Sequence, residues 1–149
     1  MAGLFLNIGL ISCEKDPVQI DFVLEGFETE TYYESEIFDE TYCSLYGKWR
    51  LYEVSGGIHG GGHTPNFDYL EIKKFGIYGF IRNDSILEYG RIIVDEQTKE
   101  TLLIHFEPDA NSDVFMYDSE KYVEFYEKGR LSLDSPCCDR YNYHFIRAK

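Results

Sequence analysis

The sequence predicts an all-β protein, an eight-stranded up-and-down antiparallel β-barrel, on three observations. Aromatic residues make up 17% of the 149 residues, with 13 Tyr and 11 Phe, a bias that suits half-buried strands. From residue 45 onward, runs of β-favouring residues alternate with turn residues and show no helical period. The connections between these runs are short, which favours a closed meander over a sandwich with its longer crossings. Closure also removes sheet edges that would otherwise be exposed.

Nine runs are candidate strands, one more than the barrel needs. Gly76 and the polar run at residues 83–85 supply the chemistry of tight turns between consecutive runs. The eighth run is short and has the character of an edge strand. The predicted strands are residues 45–54, 67–73, 77–82, 86–94, 101–106, 114–117, 121–127, 130–133 and 141–147.

Charge and hydropathy divide the chain into three segments: a signal peptide at 1–12, an acidic tether at 13–44 and the barrel at 45–149. The net charge is -13, and residues 14–40 hold ten acidic residues against one lysine. An acidic, polar stretch of this kind is typical of a solvated extension beside a globular domain. The overall charge disfavours nucleic acid as a partner, since a polyanion is repelled.

The N-terminal segment resembles the export signal of bacterial lipoproteins. Residues 3–11 are apolar but too few to span a bilayer, and Leu10-Ile11-Ser12-Cys13 is similar to a lipobox. No Lys or Arg precedes the apolar residues, which departs from the usual pattern. The resemblance implies cleavage before Cys13, a lipid on its thiol and contact with the membrane through that anchor alone. Glu14-Lys15-Asp16 resembles the signal for surface display. We therefore expect an outer membrane lipoprotein, at the cell surface or facing the periplasm.

The head of the first strand resembles the lipocalin family. Gly47-Lys48-Trp49 matches the Gly-x-Trp motif, and the longer pattern is similar to lipocalin-like lipoproteins of Gram-negative bacteria, within the calycin superfamily. In that family an arginine of the last strand lies across the tryptophan, a role that the resemblance implies for Arg147. The closed meander also places Arg147 near Trp49. The chain ends at Lys149, so we expect a barrel that lacks the C-terminal helix of lipocalins.

The glycine-rich run at residues 55–66 follows the first strand, where lipocalins carry the loop over the open end. It is either a flexible connection or a ligand gate. Its two histidines, His59 and His63, are four residues apart, which would bring them together on a helix. The glycines preclude a helix, so no metal site is predicted. Strict alternation from Trp49 would turn Glu53 inward, either to orient a ligand or to lie at a wet rim. The candidate ligand-binding residues are Glu53, His59, His63, Glu88 and Tyr143.

Nothing in the sequence builds an active site, so we expect neither an enzyme nor a cofactor. No Ser/His/Asp or Cys/His arrangement carries a local motif. Three cysteines remain after Cys13, and an exported chain would oxidise two of them. Cys43 could bond Cys137 or Cys138, although strand geometry does not obviously join them, or the two adjacent cysteines could bond each other. Their spacing does not fit zinc.

Two functions remain open after these exclusions. The first is a lipid-anchored envelope protein whose barrel binds a small apolar or amphipathic ligand, in a cavity under the glycine-rich loop. The second is an interaction or scaffold lipoprotein with a filled barrel, whose exposed aromatic residues meet an envelope protein or a glycan. A calycin-type enzyme is the third and weakest reading.

Overall fold

The computed structural model describes residues 43–98, 101–109, 114, 116, 118–126, 129–137 and 140–149. The predicted signal peptide, Cys13 and the tether up to residue 42 lie outside the described residues. Eight strands follow one another along the described chain. They are β1 (Gly47–Gly56), β2 (Tyr69–Ile72), β3 (Ile77–Arg82), β4 (Ser85–Gln97), β5 (Leu102–Pro108), β6 (Glu120–Phe125), β7 (Arg130–Asp134) and β8 (Tyr141–Arg147).

The eight strands form a closed antiparallel barrel in up-and-down order. Each strand pairs with its sequence neighbours, and β1 pairs with β8 to complete the ring. The predicted fold class is therefore confirmed. Short 3₁₀ turns at Cys43–Leu45 and Lys74–Gly76 are the helical elements of the described residues.

The turn between β3 and β4 shows how local chemistry sets strand boundaries. Asn83 and Asp84 both have positive φ, 51° and 61°, as a two-residue hairpin turn of the primed type requires. Asn and Asp enter this left-handed region more readily than other residues with a Cβ. The turn ends β3 at Arg82, at the residue that the sequence predicted.

Two strand predictions are wrong. Val114 and Met116, the described residues of the predicted strand 114–117, are not in a strand, and they pack against the core instead. The run at residues 130–133 is not an edge strand, because β7 pairs with β6 on one side and with β8 on the other. A short strand looks edge-like in sequence, but ring closure leaves no edge for it to occupy.

A β-bulge in β1 overturns the inward placement of Glu53. Leu51 pairs with Phe145 and Glu53 pairs with His144, so Tyr52 is an extra residue between two consecutive pairs. A bulge inserts one extra residue into a strand, so that each later side chain of that strand points to the face opposite to the one that strict alternation predicts. Val54 therefore packs against the core, whereas Glu53 is exposed.

One end of the barrel, called the closed end, is sealed around Trp49. The Trp49 indole is buried and donates to the carbonyl of Leu45 at 2.8 Å. The Arg147 guanidinium lies 4.2 Å from the centroid of the indole and donates to the carbonyls of Tyr46 and Ser44, at 2.6 and 2.9 Å. These contacts join the start of β1 to the end of β8.

Aromatic rings pack against one another inside the barrel. Phe67 lies 4.5 Å from Phe80 between ring centroids, and Tyr78 lies 4.8 Å from Phe106. The buried Tyr78 donates to the carboxylate of Glu88 at 2.8 Å, so Glu88 faces inward and is paired. Burial and this carboxylate raise the pKa of Tyr78. The described interior is thus an aromatic core.

Replacing Gly47 by alanine should destabilise the barrel by about 2 kcal/mol, because two costs combine there. Gly47 has φ +128°, and an added Cβ would lie 2.6 Å from Nη1 of Arg147. The guanidinium would have to leave the carbonyls that it contacts. Urea unfolding followed by Trp49 fluorescence measures the change in the free energy of unfolding.

Gly61→Ala is the matched control, since an added Cβ at Gly61 meets nothing within 4 Å and its φ is not positive. We expect a change of less than about 0.5 kcal/mol for this variant. Equal effects of the two substitutions would show that the closed end does not depend on the approach of Arg147 to the backbone.

Candidate functional site at the mouth of the barrel

The opposite end of the barrel, called the mouth, lies where β1 ends and β8 begins, and the glycine-rich loop covers it. The backbone of Gly57 donates to Arg140 at 3.0 Å, and Gly62 donates to Gly56 at 3.0 Å. A Cβ on Gly62, which has φ +65°, would collide with the carbonyl of Val54. The loop therefore returns onto the strand that it leaves, and glycine is needed for that close approach.

His63 extends from this loop onto two tyrosines of β8. Its Nε2 is hydrogen bonded to the hydroxyl of Tyr143 at 2.6 Å. The imidazole meets the rings of Tyr141 and Tyr143 edge to face, with centroids 4.4 and 5.4 Å apart. Tyr143 is fully buried, so the contact reaches from the loop into the barrel. His63 therefore packs between the glycine-rich loop and the aromatic interior.

Lys121 of β6 is the charged group of this site. Its side chain is fully buried, and its ammonium lies 5.3 Å from the ring centroid of Tyr143. Burial lowers the pKa of Lys121 to about 8, while Asp118 and Asp134 act in the opposite direction. His63, Lys121, Tyr141 and Tyr143 are called the mouth cluster below.

The histidine and the lysine of the mouth cluster disfavour each other's charge. Burial lowers the pKa of His63, and the positive charge of Lys121 lowers it further. At neutral pH His63 is therefore neutral, and its hydrogen bond with Tyr143 joins two uncharged groups. The closed loop is compatible with a charged Lys121 because the imidazole above it carries no charge.

Two loops are joined beside the mouth cluster. Arg140 donates to Asp118 at 2.8 Å, and the Ser135 hydroxyl donates to the same carboxylate at 3.1 Å. These bonds connect the segment before β6 with the connection between β7 and β8. They fix the rim of the barrel near Lys121. The glycine-rich loop is attached to β8 through Gly57 and His63, and Arg82 of β3 donates to the carbonyl of Pro65 at 3.1 Å.

The structure brings only some of the sequence candidates together. His63 and Tyr143 meet in the mouth cluster, Glu88 is paired with Tyr78 at another part of the interior, and His59 and Glu53 are exposed. Sequence reasoning missed Lys121 and its role beside Tyr143. The available signal was alternation in β6, where Lys121 and Val123 occupy inward positions.

The cysteines follow neither of two predicted pairings. Cys43 is disulfide-bonded, whereas Cys137 is exposed and lies outside any disulfide. A Cys43–Cys137 bridge and an adjacent Cys137–Cys138 bridge are therefore both wrong. The other cysteines of the chain, Cys13 and Cys138, lie outside the described residues.

An eight-stranded antiparallel barrel of this topology is consistent with a calycin-like fold. No protein-family model, no curated protein and no solved structure matches the chain. Within the described ranges, no three His, Cys, Asp or Glu residues are grouped so as to hold a metal ion. In the same ranges, no helix is long and apolar enough to cross a membrane.

The pH dependence of folding should report the state of His63. Because the folded pKa of His63 lies below its value of 6.5 in the unfolded chain, the unfolded chain takes up the proton first as the pH falls. The stabilising contribution is therefore present above pH 6.5 and is lost progressively as acid is added. We expect His63→Gln to show a smaller loss of unfolding free energy between pH 7 and pH 5 than the parent protein.

His59→Gln is the control, because His59 lies in the same loop with an exposed side chain. Chemical denaturation of the three proteins at both pH values gives the comparison. If the two substitutions change the acid sensitivity equally, the contact between His63 and Tyr143 is not its source.

Proposed function

We propose that this protein is a lipid-anchored, lipocalin-like protein of the cell envelope that binds a small amphipathic molecule at the mouth of its barrel. The mouth cluster carries the proposal: a buried ammonium and an imidazole lie between a glycine-rich loop and an aromatic interior. Ligand sites typically combine apolar walls with a few convergent polar groups. Here the polar groups would hold the head of the ligand, and the aromatic rings its apolar part.

The buried lysine specifies the chemistry of that head. An ammonium forms its strongest hydrogen bonds with an ionised acceptor such as a carboxylate. Lys121 offers donors only, and the Tyr143 hydroxyl can also donate. A carboxylate or another acidic group would accept from both. The proposed ligand is therefore an amphipathic acid whose head reaches Lys121.

Ligand entry would require His63 to leave β8. The contacts of His63 with β8 include one neutral hydrogen bond and two ring contacts, together about 1–3 kcal/mol. Displacing the imidazole would vacate the place next to Tyr143 that the head group needs. The ligand would thus exchange a neutral hydrogen bond for charge-assisted ones, which are roughly twice as strong.

The architecture also fits a tether at the closed end. The described chain enters the barrel through Cys43–Leu45, beside Arg147, at the end opposite the glycine-rich loop. A lipid on Cys13, joined through the acidic segment, would attach the barrel at the closed end and leave the mouth accessible to ligand.

The second candidate function is a filled barrel that contacts a protein or a glycan. The aromatic packing of the interior favours it, as do the exposed aromatic residues of the barrel. Phe125 and Tyr126 are 48% and 53% exposed, and Tyr52 is 41% exposed. Such rings are common in interfaces. A ligand titration separates the two functions, because a filled barrel has no acid-binding mouth.

Titration with dansyl-labelled undecanoic acid tests the ligand proposal. We expect saturable binding that Lys121→Met weakens about 10-fold or more, the size of one lost charge-assisted hydrogen bond. Binding should also weaken as the pH rises from 7 to 9, since Lys121 loses its proton near pH 8 while the carboxylate stays ionised.

Lys149→Met is the matched control, because Lys149 is exposed at the opposite end of the barrel. It removes the same charge and should leave the affinity unchanged. An equal loss of affinity in both variants would indicate non-specific attraction of the acid. Absence of saturable binding to the parent protein would favour the filled-barrel function.

Replacing Cys13 by alanine tests the anchor. We expect the parent protein in the membrane fraction and Cys13→Ala in the soluble fraction of the same cells. Peptide mapping without reduction supplies a second readout, since a lipidated Cys13 cannot bond Cys43. The anchor therefore requires that Cys43 bonds a cysteine other than Cys13. A Cys13–Cys43 peptide, or unchanged membrane association of the variant, would contradict the proposal.

A further inference from the structure

A row of hydrogen-bonded polar side chains crosses the outer face of β1, β8 and β7. Ser55 Oγ lies 2.7 Å from Nε2 of His144, and Nδ1 of the same imidazole lies 3.4 Å from Ser132 Oγ. The Ser132 hydroxyl in turn donates to the carboxylate of Asp134. Four residues on three adjacent strands thus connect a half-exposed hydroxyl to a carboxylate through one imidazole.

The proton positions in this row follow from the donors available. A serine hydroxyl has a single proton, and that of Ser132 goes to Asp134. Ser132 can therefore only accept from His144, which places the imidazole proton on Nδ1. Nε2 is left with a lone pair, and the hydroxyl of Ser55 donates to it. This is the tautomer in which a histidine can remove a proton from a serine.

A donor for a developing negative charge lies beside Ser55. Asn142 is directly opposite Ser55 in the β1–β8 pairing, and its Oδ1 accepts from the backbone N–H of Ser135 at 3.1 Å. This bond fixes the orientation of the amide, so its NH₂ group is the side that remains for a ligand. Residues paired across two strands have side chains on the same face of the sheet.

Aromatic rings flank the imidazole. The ring centroids of Tyr52 and Tyr126 lie 6.2 and 6.3 Å from that of His144, and both tyrosines are exposed. They form aromatic walls beside the imidazole. Glu53, which is paired with His144, and Asp134 are acidic, whereas the guanidinium of Arg130 lies 5.4 Å from the ring centroid of Tyr52. The surface therefore combines aromatic walls with charges of both signs, which suits an uncharged ester with a small acyl or aryl group.

We infer that Ser55 and His144 form an acyl-transfer site on the outer face of the barrel that hydrolyses small uncharged esters. Ser55 Oγ attacks the ester carbonyl while its proton passes to Nε2 of His144, and Asn142 donates to the oxyanion. The C–O bond to the alcohol then breaks, and the imidazolium returns its proton to the departing alcohol. Water attacks the acyl-serine by the same route and releases the acid. Ser132 and Asp134 are positioning residues.

The test uses the full chain, a fluorophosphonate probe and p-nitrophenyl acetate. We expect the probe to label one serine, mapped to Ser55 by peptide mass spectrometry, and at least tenfold less labelling in His144→Gln. Ester hydrolysis should fall to the level of free imidazole in Ser55→Ala. Ser85→Ala, which removes an exposed hydroxyl at the start of β4, is the control and should behave as the parent.

The positioning role of Ser132 is tested by steady-state kinetics. Ser132→Ala should lower kcat with little change in KM, and Ser132→Thr, which keeps the hydroxyl, should restore it. Labelling of the parent protein needs no variant and therefore does not depend on how a variant folds. Labelling at a serine other than Ser55, no labelling at all, or hydrolysis by Ser55→Ala at the parent rate would overturn the inference. None of these outcomes bears on ligand binding at the mouth.

Discussion

The contact between Arg147 and Trp49 is the interaction on which the rest of the barrel depends. It joins the last strand to the first, and it ties both to the turn that enters the barrel through the carbonyls of Ser44 and Tyr46. A cation on an indole face contributes about 0.5–2 kcal/mol, and two charge-assisted hydrogen bonds add to it. Burial lowers the pKa of the guanidinium, which nevertheless keeps its charge. Closure in this register decides which residues of β8 face inward.

The extra residue of β1, Tyr52, decides which polar side chains of this strand face the interior of the barrel and which face outward. Before the bulge at Tyr52 in chain order, Trp49 and Leu51 face inward. After it, Val54 faces the core and Ser55 faces outward. Without the bulge, Ser55 would point toward the interior and could not meet His144. The bulge therefore creates the outer polar row, and it leaves the mouth to groups from other elements. Bulges are over-represented next to functional sites because they re-aim side chains in this way.

The sequence predicted those parts of the structure that local chemistry determines. The Asn83-Asp84 turn sets the end of β3, and alternation along β8 placed Tyr143 on the aromatic face. Glu53 was misplaced because a bulge has no mandatory residue type. The pair of Lys121 and His63 is 58 positions apart in sequence, and Ser55 and His144 are 89 apart. Contacts at such separations depend on ring closure and register, which no local motif encodes, so neither cluster was visible before the strands were paired.

The mouth cluster is an expensive arrangement for a barrel that needs only to be stable. A methionine or leucine in place of Lys121 would fill a similar volume without an ammonium to desolvate. Replacement of buried charges by apolar residues is often neutral or stabilising. Lys121 instead stays under a neutral His63, and a proton on either group makes a proton on the other less favourable. The loop can close over the lysine because the imidazole remains uncharged. Under the proposed function, an acidic head group would approach Lys121 where the imidazole of His63 now lies, so ligand entry and loop opening would be one event.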